Sequence, residues 1–208
     1  GFRTSFLKVN ANAYYLLWSD RTTEFNQQNQ GDDGAPNFIP IVLNGLVSEH
    51  RGIEVDFVYN PISSLEVNGF VSIGDWVWDD VPGQTVFLDD GSQVFVDDLS
   101  VMEGLPVGTS AQTTAGFGLH YRGIRSTYIG GRLNYADRIP IRYSPEDIAE
   151  GFITADVINN EFDDYATVDL YVGRYFDVGE IMSGRLSISV QNLLDEEYTR
   201  WASYVFSQ

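Results

Sequence analysis

Three observations predict an all-β protein, an antiparallel up-and-down transmembrane β-barrel present as a partial barrel of about seven long strands. Seven segments alternate apolar and polar residues with period two, the mark of a strand with two unlike faces. Several of them run far beyond the usual strand length of about 5–6 residues. The connections also alternate, short then long, so a meander would gather every long loop at one end of the sheet and every short turn at the other.

In chain order, Leu7, Val9, Ala11, Ala13, Tyr15 and Leu17 interleave with Lys8, Asn10, Asn12, Tyr14, Leu16 and Trp18. Ile53, Val55, Phe57 and Tyr59 alternate with Glu54, Asp56 and Val58. The third segment, 65–78, sets Leu65, Val67, Val71 and Ile73 against Glu66, Asn68, Phe70 and Ser72. The fourth, 107–121, carries Ala115, Phe117, Leu119 and Tyr121 at its apolar end, and the fifth sets Ile129, Leu133 and Tyr135 against Tyr128, Arg132 and Asn134. Ala166, Val168, Leu170 and Val172 define the sixth, and Leu186, Ile188 and Val190 the seventh. The short connections follow Asn60, Arg122 and Asp177; the long ones are 19–51, 79–106 and 137–164.

The polar sets hold Glu54, Asp56, Glu66, Arg132 and Asp169, which a packed core would not accept but a water-filled or plugged lumen does. Aromatic residues fall where a membrane-interface girdle belongs: Tyr59 and Tyr121 beside short turns, Tyr15 and Tyr135 beside long loops, all on the apolar parity. With 30 acidic and 12 basic residues the net charge is −18, which excludes a nucleic-acid footprint. Most of that charge lies in the long loops, from Asp79 to Glu103 and from Glu146 to Asp164, where it reads as a solvated surface without the spacing of a calcium loop. Cysteine is absent, so no disulfide or thiolate metal site is available. No segment opens the chain as a signal peptide would, and none is long and apolar enough for a membrane helix. His50 and His120 are the only histidines, and neither sits in a metal or catalytic motif, so no catalytic residue, metal or cofactor is assigned; His120 reads as a polar lumen contact.

The string Asn192-Leu193-Leu194-Asp195-Glu196-Glu197-Tyr198 resembles the Asn-Leu-Phe/Leu-Asp-x-x-Tyr motif that follows the penultimate strand of TonB-dependent outer-membrane receptors. Arg51-Gly52-Ile53-Glu54-Val55-Asp56 is similar to that family's Gly-x-Glu strand, with Asn60-Pro61 at its turn. Tyr165-Ala166-Thr167-Val168-Asp169-Leu170, closing with Tyr175-Phe176, resembles the strand two before the last. Gly74-Asp75-Trp76-Val77-Trp78 and Val107-Gly108-Thr109-Ser110-Ala111-Gln112-Thr113 resemble the Bacteroidetes-type members. The family's barrel has about 22 strands around a plug, so the resemblance implies roughly strands 15 to 21. It also implies that 1–208 is a C-terminal fragment, with the plug, the energy-coupling box, the early strands and the last strand lying outside it.

The resemblance further implies no enzyme but a transporter in the cell outer membrane, contacting outer-membrane lipid. It would take up a scarce nutrient ligand (ferric siderophore, cobalamin or glycan), driven by the TonB complex through the missing N-terminal region. Its ligand contacts are expected at the outer ends of lumen-facing strands, at Trp18, Trp76, Trp78 and Arg132, because ring faces stack on sugars or chelates and a guanidinium grips a carboxylate. Phe87, Phe95 and Tyr143 are secondary candidates in the loops. Two other readings fit the same pattern: a passive porin-like barrel with Thr199–Phe206 as an eighth strand, and a soluble glycan-binding β-sandwich.

Overall fold

A computed structural model describes residues 1–30, 36–87, 93–96, 102–108, 110–123, 126–141, 161–179 and 181–199, with the backbone alone described at 24–30, 36–41, 84–87 and 93–96. Its strands are β1 (Phe2–Arg3), β2 (Leu7–Gln30), β3 (Pro36–Ile62), β4 (Leu65–Asp80), β5 (Gln84–Phe87), β6 (Gln93–Val96), β7 (Thr113–Arg122), β8 (Thr127–Asp137), β9 (Ile139–Pro140), β10 (Glu161–Phe162), β11 (Tyr165–Val178) and β12 (Met182–Val190). One antiparallel sheet runs in the order β1-β2-β3-β4-β7-β8-β11-β12, the up-and-down wall of a partial barrel. β5 pairs with β6 inside the connection from β4 to β7, and β9 with β10 inside that from β8 to β11. The loop residues Asp89, Asp90, Asp97, Asp98, Tyr143 and Glu146 to Asp156, the side chains of Phe87 and Phe95, and the expected eighth strand beyond Thr199 lie outside the described residues.

Register fixes the two faces. Ala11, Val55, Val71, Ala115, Tyr135 and Ala166 form one row across six strands, and Asn10, Asp56, Phe70, Gly116, Asn134 and Thr167 form a row of the opposite face. The apolar face is open: Ile53, Ile73 and Ile129 each keep more than half of their surface exposed (59%, 52% and 56%), as hydrocarbon-facing residues do. Charge ends this face on β3, β8 and β11. On β3 the apolar run from Tyr59 to Ile53 stops at Arg51, on β8 the run from Ile129 to Tyr135 stops at Asp137, and on β11 it lies between Arg174 and Asp164. From Tyr59 to Arg51 the strand covers about 26 Å at about 3.3 Å per residue, hence about 20 Å of height at a barrel tilt of about 40°, close to the band of an outer-membrane wall.

The limit at Arg51 is an ionic row on that same face. Its Nη2 donates to Asp75 at 2.6 Å and its Nη1 to Glu49 at 3.1 Å, while Tyr15 Oη donates to Glu49 at 3.1 Å. The expected loop 19–51 is in fact mostly paired backbone: β2 and β3 are 24 and 27 residues long and stay in register from Thr23↔Leu43 to Gln30↔Pro36. A crossing needs only about 9–11 residues, so much of this ribbon stands beyond the apolar band.

On the polar face, rings lie flat where the neighbouring strand supplies glycine. Tyr14 covers Gly52, Phe70 covers Gly116, Tyr171 covers Gly130 and Tyr128 covers Gly173; a Cβ at Gly52 would fall 2.5 Å from Tyr14 Oη. At the far edge the ladder breaks at Asn192, whose φ is +49°. Its N–H donates to Asp169 at 2.9 Å, Leu193 N–H to Val168 O at 2.7 Å, and its side-chain amide pairs with both the N–H and the C=O of Glu196 (3.1 and 3.0 Å). Tyr198 then stacks on Tyr165 with centroids 4.0 Å apart. The Asn-Leu-Leu-Asp string is thus a side-chain-closed turn that folds the chain back onto β11.

Val55→Arg, in the middle of the apolar face, is expected to destabilise the bilayer-embedded wall by about 2–4 kcal/mol. Ser72→Arg, opposite Glu54 on the polar face, should cost no more than about 1 kcal/mol. Denaturant titration of the protein in lipid vesicles measures both; a reversed order would show that the faces are assigned the wrong way round.

Candidate ligand-binding face at the outer end of the wall

Beyond the Arg51 row, the polar sides of β2, β3 and β4 carry Leu16, His50 and Trp76 in one row and Trp18, Ser48 and Trp78 in the next. Three of the four residues expected to contact ligand therefore come together. His50 packs between two of them, 5.6 Å from the Trp18 ring, edge to face, and 5.6 Å from the Trp76 ring. Trp76 lies over Gly74 and donates through Nε1 to Tyr14 Oη at 2.9 Å. Arg132 is not part of this group. It pairs with Gly118 on one side and Asp169 on the other, in the row of Asn68, about 26 Å along the wall from Trp76 by strand rise.

Arg21 takes a place in the cluster that strict alternation denies it. Register shifts between Trp18 and Arg21, and again between Arg21 and Thr23, accompany a positive φ of 55° at Asp20, as at a β-bulge. The guanidinium consequently lies 5.1 Å from both the Trp18 and the Trp78 ring centroids. Its Nη1 donates to Ser48 Oγ at 3.0 Å and sits 3.4 Å from His50 Nε2. With a donor already facing Nε2, that nitrogen acts as acceptor, the Ser48 hydroxyl donates to it at 3.0 Å, and the ring proton is assigned to Nδ1. Burial, reinforced by the Arg21 charge, pushes the His50 pKa below the usual histidine range.

Support comes from behind. Trp78 is only 7% exposed, packed with Leu43, Leu46, Val81, Met102 and Val107 in a small core outside the apolar band. Trp18 is 61% exposed, so it offers a free ring face while Trp78 backs the cluster. Gln112 replaces a strand partner beside Trp76: its side chain accepts from Trp76 N–H (3.4 Å) and donates to Trp76 O (3.2 Å). Arg138, just after β8, reaches past the start of β7 to Gly74 O on β4 at 2.7 Å. Sequence reasoning missed Arg21, Ser48, His50, Gln112 and Arg138 as members or supports of this group; the Asp20 bulge is the device that admits Arg21.

Nearer the short turns, His120 Nδ1 lies 3.0 Å from Tyr171 Oη on the polar face, stacked on that ring and beside Tyr128. The four tyrosines expected to form a girdle lie on the apolar face. Tyr59 meets Phe6 edge to face at 6.2 Å, Tyr121 opposes Leu65, and Tyr15 and Tyr135 direct their hydroxyls to acids at the outer limit. Among the described residues no three His, Asp or Glu side chains converge as metal ligands do. What the outer cluster offers is ring faces and hydrogen-bond donors for binding.

No family model matches the chain, and no curated protein does. Among solved structures it resembles the copper transporter OprC, with TM-score 0.54 at 15% identity over 95% of this chain and 24% of that one. It also resembles the siderophore receptor PiuA from Acinetobacter baumannii, with TM-score 0.52 at 14% identity over 88% of this chain and 25% of that one. At such identities the likeness shows the fold, and the chain spans about a quarter of the length of each of these structures.

Because the folded His50 binds its proton more weakly than a free histidine, the unfolded state binds more protons as pH falls. The His50 contribution is therefore complete above about pH 6.5 and is lost progressively below it. Tryptophan emission of the protein in detergent should change as pH drops through that range, and His50→Gln should flatten the change. An unaltered titration in that variant would assign it to a group other than His50.

Proposed function

We propose that the chain is part of a TonB-dependent outer-membrane receptor that captures a scarce nutrient and imports it with energy from the inner membrane. The observation that carries this reading is the gathering of Trp18, Trp76, Trp78, His50 and Arg21 on the polar face at the outer end of a barrel wall. Ring faces collected at the mouth suit a receptor that holds ligand before transport. The solved barrels with this wall, a copper transporter and a siderophore receptor, support the same class. The Asn192 turn, the Gly52-Ile53-Glu54 strand and the strings at Gly74–Trp78 and Val107–Thr113 support the family and its Bacteroidetes-type branch.

In this reading 1–208 is a C-terminal portion of the barrel; a plug fills the lumen, and the TonB complex displaces it through the N-terminal region. The apolar face meets outer-membrane lipid, with Tyr15, Tyr59, Tyr121 and Tyr135 at its two boundaries. Trp18 and Trp76 contact the ligand directly, Trp78 backs them, and Arg132 meets it deeper in the lumen. No covalent step is required of any residue. The ligand belongs to the ferric siderophores, cobalamins or glycans.

Cells expressing the full gene, supplied with radiolabelled ferric siderophores, cobalamin and oligosaccharides, should accumulate one of them. A protonophore should abolish accumulation, and Trp18→Ala with Trp76→Ala should weaken it at least about tenfold, as losing a stacking contact or two does. Uptake that persists in the protonophore would identify a passive porin instead.

A further inference from the structure

We propose that the outer-end cluster selects ligands carrying a single carboxylate beside a flat ring or sugar face, and that Arg21 takes the carboxylate. The inference rests on the receptor reading for the site's purpose and narrows its substrate class.

Among the described residues no carboxylate lies within ion-pair distance of Arg21. Among the described residues the ion pairs are those of Arg51 with Glu49 and Asp75. Burial lowers the Arg21 pKa. Desolvating a guanidinium costs free energy that a structural role would offset with an acid; here two indole faces, each 5.1 Å away, supply only a partial offset. Of its five N–H donors the described neighbours engage only those on Nη1, toward Ser48 and His50. The Nε and Nη2 edge is left, a planar fork that matches a carboxylate with two parallel hydrogen bonds. The bulge at Asp20 holds this fork next to the exposed Trp18 ring, so one ligand can stack and pair at once. Asp79 and Asp80, exposed at the end of β4 just beyond Trp78, oppose additional negative charge. That favours one carboxylate over a polyanion.

The test is a tryptophan-fluorescence titration of the protein extracted in detergent, using glucuronate against glucose and benzoate against benzamide. The charged member of each pair is expected to bind at least about tenfold more tightly, the scale of one charge-assisted hydrogen bond. Arg21→Gln should bring the charged and neutral members of each pair to equal affinity while leaving the β-sheet circular dichroism unchanged. Arg21→Lys, which keeps the charge without the fork, should restore it only in part. Equal binding of charged and neutral members, a preference that survives Arg21→Gln, or no binding of any probe would overturn the assignment. Glucuronate binding through Arg21 in a protein that shows no energised uptake would uphold the carboxylate site and overturn the receptor reading.

Discussion

Every amide of the wall has to find its partner on the next strand, and that requirement organises the rest of the molecule. A hydrocarbon layer offers no water to an unpaired N–H or C=O, so a sheet crosses it only as a continuous ladder. The meander from β2 to β12 supplies that ladder, and the pleat then divides each strand between an apolar and a polar face. Irregularities are repaired by side chains: Gln112 serves Trp76, Arg138 reaches Gly74 O, and Asn192 serves Glu196. Gln112 and Arg138 lie at the outer end beside Trp76, and Asn192 lies where β12 stops pairing with β11.

Period two made most of the wall legible in the sequence. Ile53, Val55 and Phe57 could be assigned to one face and Glu54 and Asp56 to the other because a strand has only two faces. The same logic brought Trp18, Trp76 and Trp78 to one parity, and register then made them neighbours. It gave no help with height: Arg132 shares their parity, but a position along the wall depends on which residues pair, and pairing is a property of two strands rather than one.

Where the period breaks, local reading fails. Trp18 and Arg21 are three residues apart and should face opposite ways, yet the register shifts around Asp20 set the guanidinium on the indoles. An aspartate tolerates positive φ, but many aspartates sit in turns without bulging a strand, so the residue alone does not announce it. The outer halves of β2 and β3 were hidden for a related reason. Polar stretches such as Thr22-Thr23-Glu24 resemble loop, and the ribbon is fixed instead by Leu43 and Leu46 packing against Trp78, Val81 and Met102, contacts distant in sequence.

The rings that lie over glycines have a consequence for the bore. Tyr14, Phe70, Tyr128 and Tyr171 each rest against the wall because the next strand leaves them room. Were Gly52 or Gly130 to gain a larger side chain, the covering ring would have to stand up, projecting several ångströms toward the axis. The room left inside the wall is thus governed partly by residues that have no side chain.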